Sequence, residues 1–524
     1  MKYTRIDNLK KKWRYAMAGL LLMCTASCSD FLDVETHHAA SESQQWETLE
    51  DTRAALMGVY GLMRSALADN NTNWVCGELR LGDFTVTERT DLQAVVDNDL
   101  NTNIRLIADV SDWRRFYAVV NAASVFIEKS SQVIGKDQAY SEQNLEYDKA
   151  QARALRALAY FYMVRIWGDV PLINYAYDNG SFPQAARTPA KDVLAYIKDE
   201  LLAAANALPF EYGSKTNQYY RQDPSYWYGI LLNKLSAYAI LAHVSALTDN
   251  YADVETYTAY VIDNCMSIGV GAANKMYIPV SGLISPTGLF SSENTTYAPN
   301  RLVAFNFQNK NNESTQSGHL EQWTLASPYV QRPYPDLYVS RDSLVNIFDN
   351  VDDLRFGIDD SVTVTYNKSY VDMTTAYPIF KKVNVVQGGA GKDGDYGVFG
   401  STILFTRMED MVLLRAEAVT VLNRPEDAIQ LLNNLRAQRG LAQLSYKKDF
   451  GEDRLKVLDA VFDERRRELM GEGWRWYDQV RRQKIRRDNP AFLKMIEAGG
   501  EYWPVSSEVL KTNPKITQNA YWEK

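Results

Sequence analysis

The chain of 524 residues carries 57 Lys and Arg against 65 Asp and Glu, a formal net charge of −8, which argues against nucleic acid as a partner because phosphate binding needs basic surface. That length exceeds what one hydrophobic core usually fills, so two sub-structures or an elongated repeat array are expected. Aromatics make up 12% of the residues, including 33 Tyr and 11 Trp, a content that suits both cores and sugar-stacking surfaces and alone decides neither.

The N-terminus reads as an export signal over residues 1–27: a basic stretch with Lys10, Lys11, Lys12 and Arg14, an apolar run from Ala16 to Met23, and small Ala26 and Ser27 before Cys28. The apolar run falls short of the ~20 residues a membrane-spanning helix needs. Lipidation is expected at Cys28, although Thr25 stands where Leu is usual, and acyl chains there would hold the protein on a membrane. Residues 1–27 hold six Lys and Arg and one Asp, so the mature chain has a formal charge of −13. Cys76 and Cys265 either pair or sit buried as small hydrophobes, and the absence of a framework spacing favours buried thiols.

Apolar residues then recur at helical spacing in successive pairs. Thr48–Leu67 pairs with Ser111–Val133, and the alanine-rich Asn144–Trp167, ending at Gly168, pairs with a helix opened by Pro189 and running to Leu208. Leu231–Leu247 and Tyr251–Met266 form a third pair. Met408–Leu422 and Pro425–Arg439 form a fourth, about 34 residues long, with Pro at a first turn and Gly440 just past the end. A last helix is expected over Gly451–Val480. Trp113, Trp167, Trp474 and Trp476 fall on helical spacing and read as core, whereas Tyr226-Trp227-Tyr228 opens a helix and stays ambiguous.

Between about 268 and 400 the pattern changes to Gly, Pro, Asn and Ser with scattered aromatics and short alternating runs, Leu302–Phe307 and Ser361–Tyr366. This predicts an irregular, partly β insertion in a helical scaffold that spans 45–267 and 401–490, with coil from Ala491 onward. Long loops in a compact protein usually carry function.

Ligand-facing groups are sought on loops. Asp69-Asn70-Asn71-Thr72-Asn73-Trp74 sets amides beside an indole, with Arg80 nearby. Amides bond sugar hydroxyls in either direction and aromatic faces stack on sugar C–H bonds, which makes Asn71, Asn73, Trp74 and Arg80 binding candidates. The alternative is a helix-ending turn whose Trp packs inward. In the insertion, Trp323 and Tyr329 are read as ligand-facing and Tyr334 as packing. Glu464 and Glu468 lie four apart on a helix but alternate with Arg465, Arg466 and Arg467, which would keep both ionised; they read as structural ion pairs rather than a general acid. His37, His38, His243 and His319 match no metal-binding spacing, and no nucleophile elbow or phosphate loop appears, so no enzyme, no cofactor and no metal are expected. The one metal alternative is calcium at Asp352-Asp353 or Asp359-Asp360, with solvated charge the plainer reading.

Five segments together resemble the SusD/RagB family of Bacteroidetes nutrient-binding lipoproteins: Cys28-Ser29-Asp30-Phe31-Leu32-Asp33; Ala159-Tyr160-Phe161-Tyr162 leading into Gly168-Asp169-Val170-Pro171-Leu172; Met411 to Ala418; Glu464 to Leu469 with Gly473 to Asp478; and Trp503-Pro504-Val505 with Asn513-Pro514 and Gln518-Asn519. The resemblance implies a mainly α scaffold of about four tetratricopeptide-like helix pairs, on which a variable region binds oligosaccharide. It also implies a lipid-anchored, surface-exposed place on the outer membrane, as the lid of a SusC-like TonB-dependent transporter, and that the 69–74 stretch borders the glycan site. A RagB-like branch that handles peptides, and a lid with no ligand affinity of its own, stand as alternatives.

Overall fold

The structure is a computed structural model that describes residues 45–177, 182–269, 276–356, 369–388 and 397–523. Thr48–Lys524 forms one compact unit; of the other, Met1–Glu47, only 45–47 are described, so the signal, Cys28, His37 and His38 lie outside the described residues.

The longer helices are α1 (Leu49–Ala68), α2 (Arg114–Lys129), α3 (Glu142–Trp167), α4 (Ala190–Ala207), α5 (Lys234–Leu247), α6 (Tyr251–Asp263), α7 (Met408–Val421), α8 (Pro425–Ala437), α9 (Arg454–Glu468) and α10 (Arg475–Arg486). From α1 to α8 each packs on the next in chain order, and α9 returns onto α7. That is the stacked-pair array expected of a mainly α, tetratricopeptide-like scaffold.

Local signals set the ends. Thr48 and Asp51 form a capping box at α1, and Gly168, at φ +74°, closes α3 with its N–H on Val164 O. Inside α3, Ala152, Ala154, Ala157 and Ala159 are fully buried; small side chains let the flanking helices approach.

The structure corrects three helices. The expected Gly451–Val480 helix is two, α9 and α10, because Gly471 and Gly473 adopt φ of +79° and +83°, and a Cβ would stand 2.6 Å from Phe380 at the first and 2.8 Å from the Asn73 amide at the second. The Ser111–Val133 helix starts at Arg114, after a short Arg105–Val110 helix, and ends at Lys129. Tyr226 and Trp227 sit in a 3₁₀ turn, Pro224–Trp227, and α5 opens later under an Asn233 cap.

The strands are β1 (Thr85–Val86), β2 (Arg301–Phe305), β3 (Leu337–Tyr338), β4 (Val371–Asp372), β5 (Ile379–Phe380), β6 (Val386–Gly388), β7 (Val398–Phe399) and β8 (Ile403–Arg407). They pair antiparallel as β1–β3, β2–β8, β4–β5 and β6–β7. The expected Leu302–Phe307 run is β2, while Ser361–Tyr366 lies outside the described residues. β2 and β8 are buried at every position, and β8 runs straight into α7, which fastens the insertion to the scaffold.

The C-terminal segment is not plain coil: it contains helices Pro490–Glu497 and Ser507–Thr512. It also straps the other end of the chain. Trp503 N–H donates to Ile166 O at 2.7 Å, Ser506 N–H to Ser111 O, and the Asn519 amide to Trp503 O and Trp167 O. Among the described residues no helix is long and apolar enough to cross a membrane. Cys76 and Cys265 are buried thiols without a disulfide, as the spacing suggested, and burial pushes the Cys76 thiol up to about 12.

Candidate ligand-binding site

The Asn71, Asn73 and Trp74 side chains are buried, so the packing alternative describes them. Trp74, 3% exposed, donates its indole N–H to Gly471 O at 3.1 Å, which pins it under the turn between α9 and α10. Asn73 accepts from the Tyr162 hydroxyl at 3.1 Å, and Asn71 donates to His319 O at 3.1 Å. Arg80 is fully buried over the Trp476 ring, 4.0 Å from its centre; it donates to Asn98 and to the carbonyls of Gly500 and Glu501. Trp323, 3% exposed, is core as well. Side chains enclosed and bonded in this way offer a sugar neither face nor donor. This corrects the expectation for Asn71, Asn73, Trp74, Arg80 and Trp323: the Trp74 indole, the two amides and the Arg80 guanidinium reach partners far along the chain, and Trp323 is enclosed by burial alone, which local sequence does not display.

Trp113, Trp167, Trp474 and Trp476 are buried, as their helical spacing indicated. Glu464 and Glu468 are buried too, in a charge network. Arg439 grips Glu468 with two bonds of 2.8 Å, and Arg407 and Arg355 reach it at 2.9 and 3.0 Å. Burial alone would raise Glu464, but Arg355 at 2.7 Å and Arg467 at 3.0 Å hold it down at about 2. Both carboxylates are enclosed in ion pairs, as expected, but of the neighbouring arginines only Arg467 takes part, with Glu464; Glu468 is held by arginines from elsewhere in the chain. Asp353 spends both oxygens on Arg355, at 2.9 and 2.7 Å, and among the described residues no group of three or more His, Cys, Asp or Glu could hold a metal; Asp359 and Asp360 lie outside them. His243 stacks on Trp474 and bonds Asp410 at 2.9 Å. His319 lies between Ser401 and Thr315.

The insertion does present aromatic surface, in residues other than those expected. β1–β3 pairing sets Tyr338 opposite Thr85, and the β4–β5 turn carries Tyr377 just before Ile379. The Tyr377 ring lies 5.1 Å from Tyr338 and 6.0 Å from Tyr334, centre to centre, and Tyr377 is 38% exposed. Polar groups frame this ridge. The Tyr334 hydroxyl donates to exposed Glu88 at 2.8 Å, and Arg341 props the turn by donating to the carbonyls of Met373 and Thr375. Tyr329, half-buried, braces the same hairpin by donating to Asp372 at 2.9 Å. It alone of the expected aromatics keeps part of its surface. The reading of Tyr334 as packing thus gives way to a half-exposed ring. The Pro333 and Pro335 flanks, which stiffen the segment, were the available signal; Tyr377 had none.

Two family models match the chain: one described as the SusD family over residues 351–522, the other as starch-binding associating with outer membrane over residues 30–245. A crystal structure of a SusD superfamily protein from Bacteroides thetaiotaomicron is 54% identical, covers 92% of this chain and all of its own, and superposes with a TM-score of 0.84. The chain belongs to the SusD family. A second SusD homologue of known structure from that organism, 22% identical over 90% of this chain and 98% of its own, shares the fold at a TM-score of 0.70. A SusD-like protein of Formosa agariphila is 24% identical over 94% of this chain and 95% of its own length. The two family models match the scaffold on both sides of the insertion and, within the insertion, residues 351–400, which include Tyr377.

Proposed function

We propose that this SusD-family chain is a non-catalytic, cell-surface glycan-binding lipoprotein. It is held at the outer membrane through Cys28, captures oligosaccharide on the Tyr334–Tyr338–Tyr377 ridge, and passes it to a SusC-like TonB-dependent transporter that it covers as a lid. The observation that carries the reading is the ridge: tyrosine rings gathered at the surface by two short ribbons, framed by a carboxylate and a guanidinium. Sugar C–H faces stack on such rings while hydroxyls bond the charged rim. The matching description of a starch-binding, outer-membrane-associated family supports both ligand class and location.

The test is calorimetric titration of the chain lacking residues 1–28 against neutral oligosaccharides and peptides, with Tyr377→Ala and Tyr334→Ala beside the parent. Binding of one glycan class, lost in either variant at unchanged melting temperature, supports capture at the ridge. Binding of peptides alone, or glycan binding indifferent to both variants, overturns it.

A further inference from the structure

A second groove runs along α1. Arg53, Met57, Tyr60, Gly61 and Arg64 fall at helical spacings on one stripe, and that stripe floors a cavity of about 250 Å³ walled by Tyr226 on one side and the Asn306–Glu313 stretch on the other. It is built from other elements than the tyrosine ridge.

Three features of the groove point to a ligand. Tyr226 is half-exposed and stands perpendicular to buried Trp227, at 4.8 Å and 89°, so one ring is a fixed support for the other. The charge is locally positive on an acidic chain. Arg64 is matched by Glu313 at 2.9 Å, but Arg53 and Arg221 share Glu50 at 3.7 Å each, and the Lys310 ammonium lies 5.8 Å from the centre of the Tyr226 ring. A groove whose cations outnumber its carboxylates concentrates anions at its mouth. Lastly, Gly61 sits in mid-helix, where glycine weakens a helix relative to alanine, and a Cβ there would meet no atom within 4 Å. The helix backbone is left bare toward the cavity.

We propose that this groove is a second carbohydrate subsite, selective for an anionic sugar unit bearing a carboxylate or a sulfate. The sugar ring lies against Tyr226 over the bare backbone at Gly61, and its anion meets Arg53 and Lys310. A neutral sugar would use the ring but gain nothing from the cations, whereas an aromatic ligand without hydroxyls would leave the polar Gln308 and Asn311 wall unmatched. The inference rests on the glycan-capture reading and adds to it a chemical class.

The experiment titrates the chain lacking residues 1–28 with tri-galacturonic acid, a sulfated galactotriose and neutral galactotriose, in 20 and 200 mM salt, using the parent, Arg53→Gln, Gly61→Leu and Tyr377→Ala. Gly61→Leu starts from a Cβ that meets no atom within 4 Å and projects a side chain into the groove, and leucine favours the helix, so the variant tests occupancy in a folded chain. The expected result is that at least one anionic probe binds about tenfold or more tightly than the neutral one, loses that margin in Arg53→Gln, Gly61→Leu and high salt, and keeps it in Tyr377→Ala. Which anionic probe binds identifies carboxylate or sulfate as the source. Anionic probes that bind no better than galactotriose, or an advantage that survives both groove variants, overturn the subsite while leaving capture at the ridge intact. Silence toward every sugar, with peptide binding, removes the glycan reading and this inference together.

Discussion

Glu464 in the scaffold and Glu321 in the insertion are both helical and both buried, yet their carboxyl groups stand at opposite ends of the scale. Glu464 faces guanidinium groups and is held at about 2. Glu321 faces no guanidinium among the described residues: its own backbone N–H, the Ser401 hydroxyl at 2.9 Å and the Val385 N–H at 3.3 Å bond its carboxyl, and burial raises it to about 7. The scaffold is cross-linked by charge and draws Arg355 and Lys382 of the insertion into the same network, whereas around Glu321 the insertion is held by neutral hydrogen bonds. Sequence around Glu321 can vary without stranding a buried ion, whereas a change at Arg355 or Lys382 would leave scaffold carboxylates without a partner.

The largest effect should come from cutting the charged side. Glu468→Ala removes the buried carboxylate that Arg439, Arg407 and Arg355 share and is expected to cost about 3–5 kcal/mol in urea unfolding. Trp74→Ala should cost a comparable ~3–5 kcal/mol through the cavity it leaves, with glycan affinity of the surviving fold unchanged. An affinity loss without a stability loss would return Trp74 to the binding surface.

Next is pH. Glu464, depressed when folded, contributes stability that is present above about 4.5 and lost as pH falls toward about 2. Glu321, raised when folded, does the reverse: the folded state binds its proton more tightly, so stability falls as pH rises from about 4.5 to about 7, on the order of 2 kcal/mol. Glu321→Gln should flatten that interval in a series of thermal melts, and a variant as steep as the parent would contradict the contrast. Smaller again, Tyr377→Ala should weaken glycan binding about tenfold, ~1.4 kcal/mol, while shifting stability by less than ~0.5 kcal/mol. Smallest is Gly58→Ala on the exposed side of α1, where a Cβ meets nothing within 4 Å; it should add about 0.5–1 kcal/mol to unfolding stability.

The scaffold was legible because its signals are local. Apolar spacing, the Pro425 start and the alanines of α3 each report on residues within a turn or two, and the alternation of Glu464 to Glu468 with arginines announced ion pairing. The break at Gly471 and Gly473 escaped because a glycine in a helical pattern looks tolerable until Phe380 and Asn73 close in from elsewhere. The site was least legible. Asn-Asn-Thr-Asn-Trp and Gln-Trp have the composition of a sugar cradle, but burial is decided by partners such as Gly471 and His319, nearly 250 to 400 positions away. Tyr377 carries no motif and becomes a platform only when the β4–β5 turn brings it beside Tyr338.

The strap formed by the last segment has a consequence for the order of assembly. Arg80 closes onto Glu501 across 421 positions, and Trp503 and Asn519 seal the end of α3. Contacts of such separation form slowly, since the whole intervening chain must be gathered first. The N-terminal helix pairs therefore wait for the final residues before their buried arginine and backbone carbonyls are satisfied. Until Trp503 and Asn519 dock, the carbonyls at the end of α3 stay unsealed, and their docking works as a latch that commits this end to the folded state.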